Sequence, residues 1–95
     1  MAGASRTTHV RIEGRVQGVG YRMWTQRTAA GIGLSGWVRN RRDGSVEAVF
    51  QGADADVGLM IERCRSGPAG AAVSEVHIVG EGVGAFEGFE VRETA

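Results

Sequence analysis

The stretch from Gly14 to Arg22, G-R-V-Q-G-V-G-Y-R, holds the residue types needed to bind an anion. Glycine accepts backbone angles that turn several consecutive N–H groups toward one point, and a helix starting nearby adds roughly half a positive charge there. Arg22 sits just past the turn, where a planar guanidinium grips two oxygens of a phosphate-like group at once. The turn is not a nucleotide loop. Gly-Lys-Ser/Thr is absent after it, and no glycine follows Gly20 at the dinucleotide spacing.

The elements that must position this turn are legible from periodicity. Over residues 8–13, Val10 and Ile12 alternate with His9, Arg11 and Glu13, which predicts a half-buried strand leading into the turn. Tyr21, Trp24, Thr28 and Ile32 then recur at helical spacing, with Gln26 and Arg27 outside and Gly31 and Gly33 at the end, so Arg22 falls in the first turn of a helix. Residues 34–42 and 45–51 read as two strands joined by Arg42-Asp43-Gly44, a strong hairpin signal, which puts Asn40 near the hairpin end of the second strand. A second amphipathic helix is predicted over residues 53–65, with Val57, Met60, Ile61 and Cys64 on one stripe, Asp54 or Asp56 as capping candidates, and Gly67-Pro68 as a stop. Residues 73–79 and 86–92 alternate weakly as closing strands, joined by a glycine-rich link. The order strand, helix, strand, strand, helix, strand predicts an α+β, ferredoxin-like βαββαβ sandwich: an antiparallel sheet of four to five strands with both helices packed on one face.

Composition sets independent bounds. Ninety-five residues are expected to form a single domain over 1–95, with residues 1–8 a loose N-terminal extension. Eleven basic residues balance eleven acidic ones, so no broad cationic surface is available for nucleic acid or anionic lipid, and an anion site must be local. The single cysteine, Cys64, excludes an intrachain disulfide and fits a reducing compartment. The opening M-A-G-A-S-R-T-T-H has no apolar core of the signal-peptide kind, and no apolar run approaches the ~20 residues of a membrane span. The chain therefore reads as soluble and cytoplasmic, with no membrane or nucleic-acid partner; a monomer is expected, although zero net charge slightly favours self-association. His9 and His77 stand alone on predicted strands, which argues against a metal site; Trp24, Trp37 and Cys64 read as packing residues.

Two segments, V-R-I-E-G-R-V-Q-G-V-G-Y-R from Val10 and G-W-V-R-N-R-R-D-G-S-V-E from Gly36, together resemble the two signature segments of the acylphosphatase family, at the usual separation in a chain of the usual length. The resemblance implies a metal-independent enzyme, without cofactor, that hydrolyses acyl phosphates to carboxylate and inorganic phosphate, the latter also a product inhibitor. It implies that Arg22 and the backbone amides of Arg15, Val16, Gln17, Gly18, Val19 and Gly20 bind the phosphoryl group. Asn40 would face that loop and position the attacking water, and Ser45 would support Asn40 through a hydrogen bond. Tyr21 departs from the phenylalanine common at its position. The alternative is a noncatalytic phosphate or acyl-phosphate binding module of the same fold.

Overall fold

A computed structural model describes residues 5–95. The elements follow in the order β1 (Ser5–Arg15), α1 (Tyr21–Ile32), β2 (Ser35–Asn40), β3 (Val46–Ala53), α2 (Asp54–Cys64), β4 (Ala72–Glu81) and β5 (Phe89–Val91). The sheet has strand order β4-β1-β3-β2-β5, so β1 and β2 are separated by β3. Alternation decides which face is buried. Val10 and Ile12 of β1, Val38 of β2, and Val46, Ala48 and Phe50 of β3 point to the same side and are fully covered by the helices. From α2, Val57, Met60, Ile61 and Cys64 close that core as the stripe predicts. Burial pushes the Cys64 thiol up to about 12, so it is inert filler and not a nucleophile.

The inward face of α1 is turned by one residue from the predicted one. Tyr21, Thr25 and Ala29 are buried, with Trp24 and Ile32 flanking the core and Thr28 outside it. The small Thr25 and Ala29 let the helix approach the sheet, and Thr25 satisfies its hydroxyl by donating to the Tyr21 carbonyl at 2.8 Å. The Tyr21 hydroxyl donates to the Cys64 carbonyl at 2.7 Å, which ties the start of α1 to the end of α2. Neither Asp54 nor Asp56 caps α2: Ala53 is its N-cap, and both acids lie in the first turn, where they favour the helix dipole.

Strand limits differ from expectation where backbone pairing, not side-chain pattern, sets them. β1 begins at Ser5, so residues 5–8 are not a loose end: Ser5 pairs with Ala53 and Thr8 with Phe50 on β3. Residues 1–4 of that expected extension lie outside the described residues. The sheet is also mixed and not wholly antiparallel, because β5 pairs parallel with β2. Residues 82–86 cross the end of the sheet first. Gly82 N–H donates to the Thr7 carbonyl at 3.0 Å, Gln51 Nε2 to the Gly84 carbonyl at 2.8 Å, and Phe86 N–H to Gln51 Oε1 at 3.1 Å. That crossing consumes residues expected in the last strand and delivers the chain to the outer edge of β2, where it runs alongside.

Candidate active site

Two glycines in left-handed conformation shape the turn between β1 and α1: Gly18 at φ 73° and Gly20 at φ 77°. A Cβ at either would meet nothing within 4 Å, so the demand for glycine comes from the backbone angle and not from crowding. Gly20 is the N-cap of α1, where no side chain caps the helix and no acid lies in its first turn. Among the described residues, no backbone N–H from Gln17 to Met23 donates to a protein acceptor. A row of free donors at a helix N-terminus is an anion site in waiting. Val16 is buried and anchors the start of the turn in the core.

The turn and the start of α1 border a cavity of about 100 Å³ lined by Val16, Gln17, Gly18, Gly20, Tyr21, Arg22, Met23 and Asn40. Arg22 makes no ion pair among the described residues and is half-buried beside the amides. Asn40, the last residue of β2, reaches the same cavity from two strands away, and its Oδ1 is buried with no hydrogen-bond partner among the described residues. An unpartnered buried acceptor is costly. The structure thus brings Arg22, Asn40, Val16, Gln17, Gly18 and Gly20 to one place. Arg15 and Val19 are not on its wall: Arg15 is the exposed last residue of β1, and Val19 leans on the core.

Ser45 is committed elsewhere. Its Oγ donates to Asp43 Oδ1 at 2.6 Å and its N–H to the same oxygen at 2.9 Å, so it does not support Asn40. A carboxylate two residues back in a tight turn is a stronger and nearer acceptor than an amide oxygen. The Ser45 hydroxyl and N–H, in that order, hold the Asp43 carboxyl below its ordinary range. Ser45 meets the site through its carbonyl instead, which accepts from Gln17 Nε2 at 2.8 Å. Two partners of the site have no sequence signal at all. One is that Gln17 side chain. The other is Ala95, whose N–H donates to the Asn40 carbonyl at 3.0 Å and whose carbonyl accepts from Arg42 N–H at 2.9 Å.

The other charged features do not suit an anion. A depression of about 190 Å³ by the hairpin is lined by Glu13, Gly14, Asp43, Gly44 and Ser45, and its two carboxylates repel negative charge. Neither histidine stands alone. His77 Nε2 lies 2.5 Å from Glu13 and 2.7 Å from Glu75, a donor set shared with no residue of the Arg22 cavity, in which carboxylates and imidazole satisfy one another on an exposed edge. His9 Nε2 lies 2.6 Å from Glu47, which also accepts from Arg39 Nε at 2.7 Å and Arg41 Nη1 at 3.2 Å. Burial pushes the Glu47 carboxyl up, but hydrogen bonds from Arg39, His9 and Arg41 outweigh it and hold the group below its ordinary range. The guanidiniums of Arg39 and Arg92 each lie over the Trp37 ring, 4.8 Å from its centroid. His9, Arg39 and Arg41 on the open sheet face are thus engaged by Glu47, whereas Arg22 faces the cavity without a carboxylate partner among the described residues.

Comparison with known proteins bears on this geometry. A family model described as acylphosphatase matches residues 8–91. A protein from Mesorhizobium japonicum named acylphosphatase is 64% identical over 73 residues, 77% of this chain and 78% of its own. The solved structure of an acylphosphatase from Coxiella burnetii superposes with a TM-score of 0.88 at 35% identity, covering 93% of each chain. A structure of full-length HypF, described as phosphate- and nucleotide-bound, reaches a TM-score of 0.88 at 21% identity over 99% of this chain and 13% of that one, a likeness of fold.

Proposed function

This chain belongs to the acylphosphatase family and hydrolyses acyl phosphates to carboxylate and inorganic phosphate; from that premise we propose that Arg22 and the amides of Gln17, Gly18 and residues 20–23 hold the phosphoryl group while Asn40 positions the attacking water, with no metal ion required. The observation that carries this reading is the convergence of a free guanidinium, a loop with free amides and the Asn40 side chain on one cavity of about 100 Å³. Ligand pockets for whole small molecules run to roughly 300–1,000 Å³, so this one fits the phosphoryl end and leaves the acyl group outside.

The reaction asks little else of the protein. Water attacks phosphorus, a new P–O bond forms, and the bond from phosphorus to the acyl oxygen breaks with its electron pair leaving on the carboxylate. A carboxylate with a conjugate-acid pKa of about 4 to 5 departs without protonation, so no general acid is needed. Charge spreads over three equatorial oxygens, which the fixed donors face. The side-chain amide of Asn40, on the cavity wall, hydrogen-bonds the water and so turns a water lone pair to phosphorus. An amide cannot take the proton, and a phosphate oxygen of the substrate receives it. The protein acts as a cytoplasmic monomer in this reading, in keeping with its single buried cysteine and with the absence, among the described residues, of a helix long and apolar enough to cross a membrane.

Hydrolysis of benzoyl phosphate, followed by absorbance in the presence of a strong chelator, tests the proposal. The expected result is a kcat unchanged by the chelator. Activity lost to the chelator and restored by a divalent cation would overturn the metal-free assignment.

A further inference from the structure

We infer that the side chain of Gln17 is a positioning residue that sets Asn40 against the phosphate loop, an inference that rests on the roles proposed for Arg22 and Asn40. The loop extends from β1 and Asn40 ends β2, and with β3 between them the two halves of the site stand two strand spacings apart, about 10 Å. No backbone ladder joins β1 to β2 directly. Gln17 spans this division. Its Nε2 donates to the Arg41 carbonyl at 2.7 Å and to the Ser45 carbonyl at 2.8 Å, across sequence separations of 24 and 28 residues.

The two acceptors are the carbonyls that close the hairpin. Ser45 O also accepts from Arg41 N–H at 2.8 Å, and Arg41 O from Gly44 N–H at 3.1 Å. A carbonyl oxygen has two lone pairs, so each takes the second donor without losing the first. Because both partners are acceptors, the amide of Gln17 has one permitted orientation, with its NH₂ toward the hairpin. Arg41 follows Asn40 directly, while the Asn40 carbonyl is held from the other side by Ala95 N–H at 3.0 Å. Gln17 also lines the cavity itself. The strut therefore runs from the loop that holds the phosphoryl group to the peptide next to the residue that holds the water. The distance from water to phosphorus depends on it. Asparagine is one methylene too short for the span, and methionine matches glutamine in length but carries no donor.

The test is a double-mutant cycle between Gln17 and Asn40, read in kcat, phosphate inhibition and melting temperature. Gln17→Met is expected to lower kcat about 10- to 100-fold, the scale at which a small misplacement of reacting groups is felt, and to leave the phosphate inhibition constant within about twofold, since the amides and Arg22 are untouched. Gln17→Asn should fall with it. In an Asn40→Ala background the same Gln17 substitution should change kcat by less than about twofold, because the group it positions is gone. An equal loss in both backgrounds, an unchanged kcat in Gln17→Met, or a variant that no longer folds or binds phosphate would each overturn the inference. Full activity in Asn40→Ala alone would instead overturn the water-positioning role on which it rests, so the two failures are told apart.

Discussion

Arg22→Ala is expected to lower kcat by at least ~10²-fold, to weaken inhibition by inorganic phosphate, and to leave the fold intact. The direction follows from where Arg22 stands. It occupies the first turn of α1 on the wall of the cavity, and no carboxylate among the described residues competes for it. Its two-pronged grip acts on the phosphoryl oxygens in the ground state and acts more strongly as negative charge gathers on them in the transition state. Substrate and product phosphate share that group, so KM and the phosphate inhibition constant rise while kcat falls. The fold survives because the side chain is half-exposed and the buried face of α1 consists of Tyr21, Thr25 and Ala29. Arg22→Lys restores the charge and not the planar fork, and should recover only part of the loss. The check is steady-state kinetics with phosphate as inhibitor, alongside circular dichroism. Wild-type kinetics in a folded Arg22→Ala would remove the guanidinium from the mechanism.

Asn40→Ala should separate the two observables that Arg22→Ala moves together. A kcat loss of about 10²-fold is expected, with the phosphate inhibition constant close to that of the wild type. The anion-binding groups lie on the loop and on α1, and removing the Asn40 side chain takes none of them away. What is lost is the side-chain amide on the cavity wall, whose proposed use is to hold water. The substitution also deletes an unpartnered polar atom from the interior, so no stability penalty is anticipated from hydrogen bonding, and the backbone of residue 40 keeps its bond to Ala95. A parallel loss of phosphate affinity, measured by the same inhibition assay, would mean that Asn40 binds the phosphoryl group and does not orient its attacker.

The parts of this molecule that announce themselves in sequence are those that depend on near neighbours. The half-buried strand around Val10 and Ile12, the stripe Val57, Met60, Ile61 and Cys64, and the Asp43-Gly44 hairpin are set by periodicity and turn chemistry within a few residues. The Gly18 and Gly20 turn and the adjacent Arg22 are local in the same sense. That Asn40 meets this turn is a tertiary fact, expected from the resemblance of two segments to a known family and visible only once β3 is seen between β1 and β2. The features that escaped the sequence are those settled by competition at long range. β5 runs parallel to β2 because Gln51 and Thr7 carry residues 82–86 across the sheet end. Ser45 turns away from Asn40 because the Asp43 carboxylate offers a stronger acceptor, and a lone glutamine in a loop gives no hint that its amide bridges to Arg41 and Ser45.

The roles of Arg22, the loop amides and Asn40 all require that the site grip phosphorus and deliver water to it. Hydrolysis in water enriched in oxygen-18, with both products analysed by mass spectrometry, tests that requirement without any substitution in the protein. One labelled oxygen is expected in the inorganic phosphate and none in the carboxylate. Label in the carboxylate would mean attack at the acyl carbon, and would contradict all three roles together.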